Sequence, residues 1–286
     1  MTKPDSKEKK IVIKPIILLA DSQLLFWQGK EEGLFLQRAR TYIEEERPGK
    51  ALKAAYIGAS NEDKPEYYDI FVSAMKQIDI TDCRHITSSP LAEDFEFLTE
   101  ADLILLAGGD IKKGWEVIQK SGLQEKIVEC YYNGALLIGV SAGAVQLGMK
   151  GWKESRRKNS HPKEFFTVFQ VVPIVIDVHD EENSWERLSR IVRDGGQYSH
   201  GLGIPAGGGA VYHTDGAYEA VRHTLTEFFH KDEKLIQSLI LPPKPEPRGT
   251  EEEPKEAEKK RVEKKALKPK TRPRKKSPPK QPKPKK

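Results

Sequence analysis

Short apolar runs alternate with segments of helical period along most of the chain, and that alternation predicts an architecture before any chemistry is considered. Ile16 to Ala20 is an uninterrupted apolar run and reads as a buried strand, followed by Gly33 to Glu46 with the mixed face of an amphipathic helix. Ala51 to Ile57 is the next strand, closing on Gly58-Ala-Ser-Asn61. Tyr67 to Ile78 predicts a helix, with Ile70, Phe71, Ala74 and Ile78 on one side and Lys76 and Gln77 on the other. Ala101 to Ala107 is a strand that stops at Gly108-Gly109-Asp110, and Trp115 to Tyr132 is one helix ended by Asn133-Gly134. The run after it, from Ala135 to Val140, ends abruptly at Ser141. Strand and helix in this order predict an α/β fold, a Rossmann-like three-layer sandwich whose mostly parallel sheet is covered on both faces.

The last 45 residues change the picture of the chain's charge. From Pro242 onward Pro, Lys and Glu dominate, with 11 of the 19 prolines, and apolar residues nearly vanish, so residues 242–286 are expected to be a disordered basic tail. That tail holds 18 Lys and Arg against 7 Asp and Glu, so the formal +5 of the whole chain conceals a body, residues 1–241, of about −6. Residues 1–10 read as a flexible arm and residues 11–241 as the folded domain. The tail's charge admits weak contact with an acidic surface or nucleic acid, but no aromatic is interleaved to stack on bases.

Ile11 to Ala20 is broken by Lys14 and Pro15, too short for a signal peptide or a membrane span. Cys83 and Cys130 have no metal-ligand spacing and make no disulfide framework. A cytoplasmic protein is the expectation.

Gly139-Val-Ser-Ala-Gly143 carries the chemistry. A strand ending at Val140 and a helix starting at Ala142 force a sharp turn at Ser141, and small residues two positions to either side let the two arms approach. Such a turn exposes the hydroxyl and aims the first N–H groups of the helix beside it. The bland alternative is a glycine-flanked serine that caps its helix. In a parallel sheet, chemistry collects at the carboxyl ends of the strands, where the Gly58–Asn61 and Gly108–Asp110 loops also fall. Gly109 and Ala142 are therefore the candidate oxyanion donors. No G-x-G-x-x-G follows a strand, which argues against a dinucleotide site.

A serine hydroxyl needs a base. Of the seven histidines, His179 stands at the end of the apolar run Val171 to Val178, just before an expected helix over Asn183 to Val192. His161 lies in a hydrophilic segment and His213 precedes the turn Thr214-Asp215-Gly216, so both read as surface residues, and His85, His200, His223 and His230 as structural ones.

Ala107-Gly-Gly-Asp110, Gly139-Val-Ser-Ala-Gly-Ala144, Ile176-Asp-Val-His179 and Gly201-Leu-Gly-Ile204 together resemble the S51 serine peptidases, which include aspartyl dipeptidase and cyanophycinase. The resemblance covers roughly residues 11 to 225 and implies a fold similar to class I glutamine amidotransferase domains, with serine in place of cysteine. It implies Ser141 as nucleophile, His179 as general base, Gly109 and Ala142 as the oxyanion hole, and no metal or organic cofactor. It also implies an acid between serine and histidine, for which Glu154, Glu164 and Asp177 qualify, Glu154 first by its distance from Ser141.

Two departures from the family bear on substrate choice. The chain reads Pro205-Ala206-Gly-Gly-Gly209 where an acidic pair often stands, and Asp110 is followed by Ile111-Lys112-Lys113. Aspartyl dipeptidase-like binding of an acidic residue needs a cation near the elbow. Arg156, with Arg157 and Lys153, is the candidate, and Asp110 is a second candidate substrate contact. The expected activity is cleavage of a peptide or isopeptide amide, with a homodimer as the candidate assembly. The rivals are an esterase, against which the short body after Ser141 argues, and a non-catalytic member of the fold binding through its tail.

Overall fold

The computed structural model describes residues 11–29, 33–45, 49–153 and 164–243. The expected N-terminal arm, and the tail from residue 244, lie outside the described residues. A seven-stranded sheet organises the domain, in the order Tyr218–Val221, Gly209–Tyr212, Ile16–Leu19, Leu136–Val140, Leu103–Leu106, Lys53–Ile57, Asp82–Ile86. The last five run parallel and the first two are antiparallel additions at one edge. The four strands from Ile16–Leu19 to Lys53–Ile57 are buried on both faces but for Lys53, which is why they read as continuous apolar runs instead of alternating ones.

Alternation sorts their side chains into two cores. Ile16, Leu18, Ala55, Ile57, Ile104, Leu106 and Leu137 face one layer of helices. Ile17, Leu19, Tyr56, Leu103, Leu105, Leu136 and Ile138 face the other, which includes Phe71, Ala74 and Met75 of the Pro65–Lys76 helix. The three-layer α/β architecture is the one the sequence pattern predicts.

Three differences matter for the site. The single helix expected over Trp115 to Tyr132 is two, Ile111–Lys120 and Leu123–Tyr132, because Gly122 turns between them at φ +78°. The helix expected from Asn183 begins later, at Glu186, after a 3₁₀ turn over Glu181–Asn183. The Val175–Val178 strand that leads to His179 belongs to a second, four-stranded sheet, pairing parallel with His200–Ile204 and followed by Leu225–Lys231 and Lys234–Ile240. Among the described residues no helix is long and apolar enough to cross a membrane, and both cysteines are free thiols.

Candidate active site

The Leu136–Val140 strand passes into the Ala142–Leu147 helix through Ser141, which takes φ 50° and ψ −110°. A non-glycine residue at positive φ is strained by about 1–3 kcal/mol and needs its surroundings to hold it. Here the hold is explicit. The Ser141 N–H donates to the Leu19 carbonyl at 2.8 Å, and its carbonyl accepts from Val145 N–H at 3.1 Å. The flanking glycines are required by space, since a Cβ at 139 would lie 2.7 Å from Ala144 Cα and one at 143 would lie 2.2 Å from the Leu106 carbonyl oxygen. The Ser141 side chain does not cap the helix it opens, so the reading of it as a helix-capping serine does not hold.

Two loops are packed around the elbow. A Cβ on Gly108 would stand 3.2 Å from Ser141 Cβ, so this turn lies directly against the serine. Gly109 has φ +138°, and a Cβ there would come within 1.9 Å of the Ser60 carbonyl oxygen, which also accepts from Asp110 N–H at 2.7 Å. Gln146, fully buried on the elbow helix, donates to Ser60 Oγ at 3.1 Å and to the Ile111 carbonyl at 2.9 Å. The ends of three parallel strands are thus locked to one another. Gly109→Ala should lose about 1–3 kcal/mol from backbone strain alone and more from the Ser60 contact, read as a lowered urea midpoint together with reduced turnover.

His179 sits one residue past its strand at φ 58°, exposed, with its N–H donating to the Ile204 carbonyl at 3.2 Å. It lines one cavity of about 260 Å³ with Ser141, Gly108 and Gly109, so two separate sheets deliver the pair to one place. Among the described residues no carboxylate hydrogen-bonds its ring.

The three carboxylates considered for that role fare differently. Glu154 lies outside the described residues. Glu164 is on the surface, its carboxylate 2.5 Å from Lys112 Nζ, which holds it below its ordinary range. Asp177 is fully buried and engaged elsewhere: Arg187 Nε and Nη2 donate to its two oxygens at 2.9 and 2.5 Å, and Val178 N–H donates at 2.8 Å. Of the substrate candidates, Arg156 and Arg157 lie outside the described residues, Lys153 N–H donates to the Glu164 carbonyl at 3.3 Å, and Asp110 caps the Ile111–Lys120 helix by accepting from Lys113 N–H at 2.9 Å. No group of three or more His, Cys, Asp or Glu suited to a metal occurs among the described residues.

The cavity brings in residues for which the sequence analysis named no part in the site. Asp21 follows the first strand, and its carboxylate accepts from Gln23 N–H at 2.8 Å and Gly207 N–H at 2.6 Å. Tyr56, Asn61 and Tyr67 line it beside apolar walls from Leu25, Ile70, Phe71 and Leu105. The signal for Asp21 was its place right after the apolar run Ile16–Ala20, and for Asn61 its place in the Gly58–Asn61 loop.

Fold and site define an α/β protein in which a mostly parallel sheet presents a serine, at a strand-to-helix elbow, to a pocket shared with a histidine. The chain belongs to peptidase family S51, whose sequence profile matches residues 14–233, and is by that family a serine-type peptidase. Its fold is similar to that of a peptidase from an acI-B1 Actinobacterium, 17% identical with a TM-score of 0.57 over 80% of this chain and 97% of that one. A putative peptidase E from Listeria monocytogenes EGD-e is 16% identical with a TM-score of 0.47 over 79% of this chain and 98% of that one. No protein of curated function matches the sequence.

Proposed function

We propose that the protein hydrolyses a peptide or isopeptide amide through an acyl-enzyme on Ser141, with His179 as general base. The observation that carries this reading is the convergence of a strained, non-capping serine and a histidine from a different sheet on a single cavity. Ser141 Oγ attacks the amide carbonyl carbon as its proton passes to the His179 ring. The carbonyl oxygen becomes an oxyanion beside the N–H groups of Gly109 and Ala142. The latter opens its helix and has no carbonyl a turn earlier to bond. Collapse of the tetrahedral intermediate breaks the C–N bond, and the amine leaves with the proton from His179. Water deprotonated by the same ring then releases the acid and restores Ser141.

Glu154 is the proposed orienting acid and Arg156 a proposed substrate contact, in keeping with an aspartyl dipeptidase or cyanophycinase type of substrate. A fluorophosphonate probe tests the nucleophile: the adduct is expected on Ser141, located by peptide mass mapping. Protein that cleaves peptide while Ser141 stays unlabelled would sink the mechanism. His179→Gln is expected to cut turnover by about 10³-fold or more while leaving the urea midpoint unchanged, since the exposed ring forms no hydrogen bond among the described residues.

A further inference from the structure

Residues 205–208 join the two sheets, running from the His200–Ile204 strand to the Gly209–Tyr212 strand. Gly208 N–H donates to the Pro205 carbonyl at 2.9 Å, and Gly207 has φ +69° while Ala206 keeps a negative φ. That is the pattern of a type II turn with Ala206 and Gly207 at its centre. Three consecutive glycines follow Ala206, so the segment has little stiffness of its own and is held by what bonds to it.

It is held from both sides of the site. On the serine's side, the Leu19 carbonyl takes the Ser141 N–H at 2.8 Å. In the next two residues Ala20 N–H donates to the Gly208 carbonyl at 3.0 Å, and Asp21 Oδ2 accepts from Gly207 N–H at 2.6 Å. On the histidine's side, His179 N–H donates to the Ile204 carbonyl at 3.2 Å, and two residues on Glu181 Oε1 accepts from Ala206 N–H at 2.9 Å. Adjacent amides of one turn are thus taken by carboxylates from the ends of two different sheets, in charge-assisted bonds stronger than neutral ones.

His179 has left its strand, which ends at Val178, and stands at φ 58°. Its own bond to Ile204 and the Glu181 bond to Ala206 bracket it and tie the stretch to the turn. Glu181 does not line the cavity, so its influence on the reaction passes through the placement of its neighbours.

We propose that Glu181 is a positioning residue: by holding Ala206 it fixes His179 against Ser141, through a turn that Asp21 anchors on the serine's side, a role that rests on the serine peptidase reading above. A general base works only within hydrogen-bond reach of its proton, and a displacement of about 1 Å costs on the order of 10²-fold.

Full-length Glu181→Ala should lower kcat by about ten- to a hundredfold with KM within about twofold of the parent, and slow fluorophosphonate labelling of Ser141 to match. Glu181→Gln keeps an acceptor for the Ala206 N–H and should recover most of that loss. Ala206→Pro cuts the same bond from its other end. Proline suits the second position of a type II turn, so the turn stays and the N–H goes, and this variant carries the test where Glu181→Ala fails to fold. It should reproduce Glu181→Ala, and the two together should be no worse than either, as expected of two ends of one bond. Hydrogen exchange reads the placement without any chemistry: the His179 N–H should exchange about tenfold faster in both variants, while amides of the buried Leu136–Val140 strand keep their rates.

Parent rates of labelling and exchange in folded Glu181→Ala or Ala206→Pro overturn the proposal, as does a loss that Glu181→Gln does not recover or one that appears in KM. Faster exchange at His179 beside a parent whose Ser141 takes no probe defeats the catalytic reading alone. Unchanged exchange beside a labelled Ser141 defeats the positioning role alone.

Discussion

Ser141→Ala should give a protein as stable as the parent with peptide turnover lower by about 10⁴-fold or more. The stability half of this expectation comes from the hydroxyl's surroundings. It caps no helix and has no hydrogen-bond partner among the described residues, so its removal orphans nothing. The backbone strain at φ 50° is unaffected, because it is held by the Leu19 carbonyl, by Val145 N–H and by the close approach of Gly143 to Leu106, none of which uses the side chain. The activity half comes from the chemistry, since without Oγ no acyl-enzyme forms and only positioning and the oxyanion donors remain. Steady-state turnover and urea unfolding on the same preparations check both halves. A variant that keeps a tenth of the parent's turnover, or one that loses several kcal/mol of stability, would return Ser141 to a structural role.

How much of this was visible in the chain depends on where each residue's placement is decided. The elbow was legible because its constraint is local: an apolar run, a serine and two glycines at fixed spacing determine the turn among themselves. The buried strands were legible for the same reason. The Asp82–Ile86 strand was not, because it is the sheet's edge, where Arg84 and His85 are only half-buried and no apolar run is needed. The place of His179 at a strand end could be read, but not that its strand lies in another sheet, since pairing with His200–Ile204 depends on residues more than twenty positions away. The pocket was hidden further still, because Asp21, Asn61 and Ile70 come from three segments brought together only by the strand order. Asp177 shows the limit of periodicity. Alternation puts it on the face of His179, but the strand ends at Val178 and His179 turns into the left-handed region, so the two side chains no longer share a direction rule.

Asp177→Ala should therefore act first through stability, by about 3–5 kcal/mol in urea or thermal unfolding. The carboxylate is fully buried, and its bidentate partner Arg187, 17% exposed, lies 4.8 Å above the ring of the buried Trp152. Removing the carboxylate leaves a guanidinium in a poorly solvated place with its main counter-charge gone, which is the costly way to break such a pair. The pH dependence has a definite sign. Burial pushes the Asp177 carboxyl up to about 6 from its ordinary 3.8, with Arg187 pulling the other way. Between about pH 4 and pH 6 the native state then holds a proton that the unfolded chain has released, so this group's contribution to stability is largest at the acid end and falls as pH rises. Asp177→Asn has no proton to lose, so its deficit relative to the parent should be larger at pH 4 than at pH 7, and a deficit that grows with pH would reverse the assignment. Because Asp177 and Arg187 tie the end of the Val175–Val178 strand to the Glu186–Asp194 helix, they also fix the residue from which His179 projects. Turnover in Asp177→Asn should accordingly fall at temperatures where the variant is still fully folded, while fluorophosphonate labelling slows with it. Unchanged labelling in a folded variant would show that the pair holds the domain together without holding the base in place.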